Sequence, residues 1–211
     1  MQSFANRYDV VIVGGGHNGL VSACYLAKAG FSVLVLERNP ELGGASRSAF
    51  PFKGIEAKLS VYSYLVSLFP QRIIDDLGLR LQLQSRRTAS YTPSIYGGDF
   101  SELLLVNDGT DDNREAFLAL TGDDYDYRGY LELQAMQEQL ASIVWPSLLE
   151  SLASRDELRG RMDEDGQRAW RRLIEEPLGR VVEEKVSSDL VRGLVFTDAK
   201  IGVSDHPHDP S

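Results

Sequence analysis

A short apolar run followed by three glycines constrains the fold of this chain more than any other feature. Val10 to Val13 are β-branched with no polar alternation, as expected for a parallel strand buried on both faces. Gly14, Gly16 and Gly19 follow in the spacing G-x-G-x-x-G. The first glycine permits a tight turn, the second lets the backbone approach a diphosphate, and the third lets a helix pack closely on the strand.

The next residues extend the same pattern. We expect a helix from about Asn18 to Ala29, whose N-terminal amides and positive dipole end would face bound phosphates. Gly30 ends this helix, and Phe31 to Leu36 predicts a second strand parallel to the first. Glu37 comes directly after this strand, at roughly the 20-residue spacing from the first glycine of the motif, Gly14, at which an acidic residue hydrogen-bonds a ribose hydroxyl. An acidic residue here favours an unphosphorylated ribose, which argues against NADP. The succession of strand, glycines, helix, second strand and acid argues against a glycine turn with a purely structural role.

The predicted fold class is therefore α/β. We expect a Rossmann-like FAD/NAD(P)-binding domain with a parallel sheet and a βαβ start, carrying a hairpin and a helical insertion. The predicted cofactor-binding residues are Gly14, Gly15, Gly16, His17, Asn18, Gly19, Glu37, Arg38, Gly43, Gly44, Ala45 and Ser46.

A second glycine pair distinguishes between FAD and NAD. Residues 37–46 read ERNPELGGAS, and an acid with a Gly-Gly pair a short loop later resembles the FAD-binding motif of flavin oxidoreductases. With GGGHNGL at residues 14–20 and GIEAKLSVYSYLVSLFP at residues 54–70, the chain is more specifically similar to the phytoene dehydrogenase-like oxidoreductases. The resemblance extends to about Gly78. It implies an FAD cofactor whose flavin accepts a hydride from an apolar or amine-type small molecule, and the flavin carries that chemistry, so no catalytic residue is assigned.

Two residues depart from what the resemblance implies. Many members of the family have arginine directly after the Gly-Gly pair, whereas this chain has Ala45, with Arg47 two positions later. Dithiol chemistry is excluded for the chain acting alone, because it needs two thiols and the sequence contains only Cys24. Cys24 shares a helical stripe with Leu20 and Ala27, so we expect it to be a buried structural residue.

Charge and hydropathy exclude several classes of partner. A net charge of −9 and a pI near 4.9 argue against binding to nucleic acid or anionic membranes. No apolar run approaches the roughly 18 residues of a spanning helix, and the first residues have no signal-like apolar core. We expect a cytoplasmic protein with no integral membrane segment, or one of the mitochondrial matrix if the source is eukaryotic.

The remainder of the chain alternates between predicted helices and a hairpin. The predicted elements are a helix over Gln71 to Leu77, a hairpin joining Thr88 to Tyr96 with Leu103 to Val106 around Gly97, Gly98 and Asp99, a helix N-capped by Thr110, a long helix with the stripe Leu133, Met136, Leu140 and Ile143, and a helical stripe of Leu178, Val182, Val186 and Leu190.

No metal site is predicted. The acidic groups Asp123, Asp124 and Asp126, and 163–165, lack the spacing of a calcium loop and are interpreted as solvated helix ends. His206 and His208 lie near the end of the sequence among prolines, which favours a mobile tail over a metal site.

We divide the sequence into three parts. Residues 1–80 are assigned to the N-terminal part of the FAD-binding domain, 81–195 to a mixed hairpin and helical substrate or cap region, and 196–211 to a mobile tail. Members of the resembling family are longer, and nothing after Leu190 matches the segment that returns to their first domain, so we expect the sheet to have an open edge. Several alternatives stay open: a homo-oligomer, a completing partner chain, gene truncation, and a catalytically silent nucleotide-binding protein or subunit with a regulatory or assembly role. A simple NAD-binding domain is disfavoured by Gly43 and Gly44.

Overall fold

The computed structural model describes residues 7–63, 65–66, 68–96 and 99–209. The chain divides into two compact units, Met1–Gln84 and Ser85–Ser211. Each unit has its own secondary structure and is described by itself.

The first unit begins with the predicted strand, helix and strand. Its elements are β1 (Val10–Val13), α1 (His17–Lys28), β2 (Val33–Leu36), β3 (Ser48–Ala49), β4 (Leu59–Ser60) and α2 (Gln71–Leu77). The strands β1 and β2 are parallel, with Val10 opposite Val33 and Val13 opposite Leu36. The strands β3 and β4 form a short antiparallel pair. The first unit thus has the parallel βαβ start of a Rossmann-like α/β fold.

Glycines end both helices of this unit as expected. Gly30, just beyond α1, has a φ of 92°, and Gly78, just beyond α2, has a φ of 63°. Residues other than glycine rarely adopt this left-handed conformation. The bounds of α2 coincide with the predicted helix, and α1 begins one residue earlier than expected.

The burial of β1 and α1 differs from the sequence expectation. Val11 is 52% exposed and Val13 is 85% exposed, because the described sheet has only two strands and no layer covers that face. The expectation of burial on both faces of β1 is therefore wrong for this chain. Cys24 is exposed, so its assignment as a buried structural residue is also wrong. The contacts of α1 with the two-stranded sheet leave Cys24 uncovered.

The second unit combines one hairpin with six α-helices among its described residues. Its elements are β5 (Thr88–Tyr96), β6 (Asp99–Val106), α3 (Thr110–Thr121), α4 (Tyr125–Val144), α5 (Arg155–Gly160), α6 (Glu164–Trp170), α7 (Leu178–Lys185) and α8 (Asp189–Ala199). The predicted hairpin is confirmed, although Asp99 belongs to β6 rather than to the turn. Gly97 and Gly98 lie outside the described residues.

The core of the second unit lies between the hairpin and α3, α4, α7 and α8. Its buried residues are Leu103, Leu105, Phe117, Tyr127, Leu133, Val181, Val182, Val186 and Val191. Phe117 lies at the centre, with the rings of Tyr127 and Tyr130 each 5.3 Å from its own. Apolar burial of this extent is the main stabilising contribution to such a unit.

Asp126 is fully buried in the second unit, contrary to the expectation of a solvated helix end. Its Oδ1 atom accepts hydrogen bonds from the backbone amide and hydroxyl of Ser187, at 2.5 and 2.9 Å. Its Oδ2 atom accepts from the amide of Ser188, the N-cap residue of α8, at 2.9 Å. Asp126 on α4 therefore fixes the junction where α7 ends and α8 begins.

Two helix predictions in this unit need correction. Gly109, not Thr110, is the N-cap of α3, and no side chain caps it. The stripe from Leu178 to Leu190 spans two helices, because the backbone at Val186 is extended. Asp163 accepts from the amide of Gly166 at 2.8 Å and caps α6, which agrees with its interpretation as a helix end.

The residues after α8 contact α7. The amide of Gly179 donates to the carbonyl of Pro207 at 2.6 Å. The Nε2 atom of His208 lies 3.1 Å from a carboxylate oxygen of Glu183. The helix α8 itself continues to Ala199, beyond the predicted start of the tail. The roles assigned to residues 81–195 and 196–211 stay predictions.

Candidate dinucleotide-binding site

The glycine loop between β1 and α1 has the geometry of a phosphate-binding turn. Gly14 has a φ of 103°, and its amide donates to the carbonyl of Leu36 at 2.7 Å, which fixes the loop to the end of β2. Gly16 is the N-cap of α1 and, being a glycine, has no side chain that could cap the first amides of that helix. These amides and the positive end of the helix dipole are therefore free to bind an anion.

Close contacts are found at two glycines of this loop. A Cβ atom on Gly15 would lie 2.4 Å from Cδ2 of Leu42, and one on Gly19 would lie 2.2 Å from the carbonyl oxygen of Gly14. Real Cβ atoms do not approach other atoms so closely. The contact of Gly19 is with backbone, so this glycine lets α1 pack on the turn, as the sequence pattern predicts. The contact of Gly15 is with the end of the Leu42 side chain.

The Gly43–Gly44 turn packs against the glycine loop. The amide of Gly43 donates to the carbonyl of Gly15 at 2.7 Å, and Gly16 and Gly43 form an isolated parallel bridge. Gly43 and Gly44 have φ values of 113° and 55°, both in the left-handed region. A Cβ atom on Gly44 would lie 3.0 Å from Cα of Gly16. The two glycine segments, distant in sequence, thus form one backbone cradle, in which Gly15 is buried and Gly44 is exposed.

Glu37 lies beside this cradle. Its Oε2 atom accepts from the amide of Gly15 at 2.7 Å, and its Oε1 atom accepts from the amide and the side chain of Asn39 at 2.9 and 2.8 Å. The amide of Asn39, followed by that of Gly15, lowers the pKa of Glu37 below its usual range. The carboxylate is therefore ionised at neutral pH, as binding to a ribose hydroxyl requires.

The other predicted residues surround the cradle. His17 and Asn18 are exposed in the first turn of α1, and Arg38 is exposed after Glu37. Ala45 is exposed within the 3₁₀ turn Gly44–Ser46, where the hydroxyl of Ser46 donates to the carbonyl of Gly43 at 2.8 Å. Their contacts with a cofactor stay predictions.

Arg47 adopts an extended backbone directly after the turn. Its carbonyl accepts from the amide of Val61 at 2.9 Å, which ties the end of the turn to the start of the following segment. Arg47 is half-buried.

Sequence reasoning missed two residues of this site. Asn39 orients Glu37 through two hydrogen bonds, and Leu42 covers Gly15. The position of Asn39, two residues after the acid, is a weak signal, because asparagine side chains commonly bond near neighbours in turns. The proximity of Leu42 to Gly15 depends on the whole fold and has no local signature.

Other site classes find no support in the part of the chain that the structure describes. Within those residues, no group of three or more histidine, cysteine, aspartate or glutamate side chains could hold a metal ion. Also within them, no helix is long and apolar enough to cross a membrane.

Comparison with known proteins agrees with this geometry. Residues 12–72 match the family model described as an NAD(P)-binding Rossmann-like domain. The first unit contains a Rossmann-like dinucleotide-binding domain. The matched range covers the second half of β1, the glycine loop, Glu37, the Gly43–Gly44 turn and the start of α2.

Three relatives of this Rossmann-like chain are informative. An uncharacterized protein of Mycobacterium tuberculosis is 42% identical over the whole chain, which covers 40% of that protein. Pyridine nucleotide-disulfide oxidoreductase domain-containing protein 2 of Rattus norvegicus is 30% identical over the whole chain, which covers 41% of it. A carotenoid 3,4-desaturase of Haloarcula japonica is 62% identical over 40 residues, 18% of this chain and 8% of that protein. The chain is homologous to the first two over its full length and spans about two fifths of theirs.

Proposed function

We propose that this chain binds FAD through its first unit and belongs to the phytoene dehydrogenase-like oxidoreductases. The observation that carries the proposal is the packing of the Gly43–Gly44 turn on Gly15 and Gly16, beside the ionised Glu37. An NAD-binding loop needs the first glycine segment and the acid, whereas the second glycine turn adds a further stretch of backbone close to the diphosphate.

The residues of the cradle fit the ADP half of FAD. The amides at the start of α1 would hold the diphosphate, and Glu37 would accept from the adenosine ribose. A Cβ atom on Gly44 would lie 3.0 Å from Cα of Gly16, so the backbones of the two glycine segments lie close together there. When bound, the flavin supplies a hydride acceptor, and the protein positions it.

The names of the relatives support an oxidoreductase function and suggest the class of its substrate. The rat relative is named as an oxidoreductase domain-containing protein, and the Haloarcula relative as a carotenoid desaturase. We propose an apolar or amine-type small molecule as the hydride donor, and a cytoplasmic location. No side chain of this chain is assigned to the chemical step.

A second candidate is a nucleotide-binding subunit without catalytic activity. The exposure of Val11 and Val13 favours it, because a parallel sheet with an uncovered face is typical of a unit that other polypeptide completes. In this case the chain would bind ADP but would not retain the intact flavin. A completing partner chain or a second copy would then be required for activity.

One titration series separates these candidates. The purified chain is inspected for visible flavin absorbance and then titrated with FAD, NAD and ADP by calorimetry. We expect FAD to bind at least tenfold more tightly than NAD, and the Glu37→Arg variant to lose binding to FAD and ADP. Binding of ADP without FAD would favour the silent subunit, and a folded chain that binds none of the three would contradict both.

A further inference from the structure

Asn39 makes two hydrogen bonds to the Oε1 atom of Glu37. Both the backbone amide and the side-chain amide of Asn39 donate to this atom, at 2.9 and 2.8 Å. The second oxygen, Oε2, accepts from Gly15 at 2.7 Å. The carboxylate is thus held from two sides, by the glycine loop and by the turn that follows β2.

This arrangement leaves a limited acceptor capacity for a ligand. An ionised carboxylate offers about four acceptor positions on its two oxygens. Asn39 donates twice to Oε1, Gly15 donates once to Oε2, and a backbone hydrogen bond from Arg38 also lowers the pKa of the carboxyl group. Few acceptor positions are therefore left for a ligand.

We propose that Asn39 is a positioning residue that sets the specificity of the site for an adenosine ribose with a free hydroxyl. It acts through Glu37, by holding Oε1 so that the carboxylate stays fixed beside the glycine loop. This inference rests on the proposed function, because it concerns the same nucleotide site.

The chemistry of the ligand follows from this arrangement. A fixed, ionised carboxylate accepts a hydrogen bond from a hydroxyl group and repels a phosphate at the same place. A mobile carboxylate could turn away from a 2′-phosphate, so loss of Asn39 would weaken discrimination as well as affinity. The selected ligand is therefore a nucleoside diphosphate, free or as part of a dinucleotide, with an unmodified ribose.

The pKa of Glu37 can report on the role of Asn39. Hydrogen bonds from the amide groups of Asn39, Gly15 and Arg38 lower this pKa, whereas desolvation of the carboxylate raises it. No ion pair joins Glu37 to a charged side chain within the residues the structure describes. A change at Asn39 should therefore be visible directly in the titration of Glu37, without any ligand.

Asn39→Ala and Asn39→Asp test the proposal on the full chain. The alanine variant removes the side-chain donor, and the aspartate variant keeps the shape but places a second carboxylate beside Oε1. Gln71→Ala is the matched control, since Gln71 also donates its amide to a carboxylate, that of Asp75 at 2.8 Å, on the surface of α2.

The first measurement is the pKa of Glu37 in the ligand-free chain, by NMR titration. We expect it to rise in Asn39→Ala, to rise further in Asn39→Asp, and to remain unchanged in Gln71→Ala. The second is calorimetric titration with ADP and with ADP carrying a 2′-phosphate. We expect Asn39→Ala to bind ADP about tenfold more weakly, corresponding to the loss of one hydrogen bond to a charged group. We also expect the preference for ADP over ADP with a 2′-phosphate, measured as the ratio of their dissociation constants, to be smaller than in the wild type.

The outcomes distinguish this inference from the proposed function. Failure of the wild-type chain to bind ADP would overturn both. If the wild type binds ADP and Asn39→Ala keeps the same Glu37 pKa and the same ligand ratio, the role of Asn39 is refuted and the nucleotide site stands. Circular dichroism of each variant confirms that the fold is retained.

Discussion

Gly44 approaches Gly16 so closely that a Cβ atom added to Gly44 would lie 3.0 Å from Cα of Gly16. The two residues belong to separate glycine segments joined by the hydrogen bond from Gly43 to Gly15. Their contact turns two local motifs into one binding surface.

Replacement of Gly44 by alanine should therefore weaken nucleotide binding beyond its effect on stability. The new methyl group must push the turn away from Gly16, and we expect at least tenfold weaker binding of ADP by calorimetry. Gly54→Ala is the control, because Gly54 also has a positive φ, 80°, but a Cβ atom there would meet nothing within 4 Å. Both variants should lose about 1 kcal/mol of stability from backbone strain, while Gly54→Ala should keep the wild-type affinity. Equal losses of affinity in the two variants would contradict this account of the cradle.

The lowered pKa of Glu37 predicts a stability that depends on pH. A carboxylate with a lowered pKa in the folded state contributes stability above its unfolded pKa, and this contribution is lost as the pH falls through the folded value. Hydrogen bonds from Asn39 and Gly15 cause the shift below the usual value of 4.5. We expect the difference in melting temperature between wild type and Glu37→Gln to shrink as the pH is lowered from about 6 to about 3. Parallel curves over this range would show that Glu37 is not held by these donors.

Gly129 on α4 is the point of closest approach to α7 and should not tolerate a side chain. A Cβ atom there would lie 1.8 Å from the carbonyl oxygen of Lys185. We expect Gly129→Ala to lower the free energy of unfolding by about 2–3 kcal/mol, because the two backbones must separate. Gly193 on α8 is a matched helical glycine with open space at this position, and Gly193→Ala should be neutral or stabilise by up to about 1 kcal/mol. Chemical denaturation of both variants measures the contrast, and similar effects would refute it.

Removal of the Asp126 carboxylate should destabilise the second unit. The Asp126→Ala variant leaves the amides of Ser187 and Ser188 and one hydroxyl without their acceptor, and we expect a loss of about 2–4 kcal/mol. Asp112→Ala provides the comparison, since the Asp112 side chain is 59% exposed and pairs with Arg87 at 3.4 Å. Such a surface pair contributes less than about 1 kcal/mol. Comparable losses in denaturation midpoint for the two variants would argue against a structural role for Asp126.

Local signals explain which elements could be predicted from the sequence. The glycines after β1, α1 and α2 each occupy a conformation or a contact that only glycine allows, so the turns and helix ends around them were found correctly. The same applies to Glu37, whose distance from the glycine loop reflects one strand, one helix and one strand. In these places a few neighbouring residues determine the structure.

Contacts between distant residues explain the errors. The helical stripe through Val186 is interrupted because Asp126, some 60 residues earlier, binds the amides at the start of α8. Asn39 was missed as a site residue because its function depends on where the carboxylate of Glu37 lies in three dimensions. The exposure of Cys24 depends on how much sheet lies next to α1. None of these contacts has a periodic pattern in the sequence.

Val13 lies in a strand whose sequence predicts burial, yet it is 85% exposed. Truncation of an exposed valine changes stability by about 0.5 kcal/mol or less, whereas truncation of a buried one costs about 1–3 kcal/mol. The loss of folding stability caused by Val13→Ala therefore measures how far β1 is covered by other parts of the protein. It should be close to zero in the 211-residue chain by itself and should grow in any longer or assembled form that covers β1.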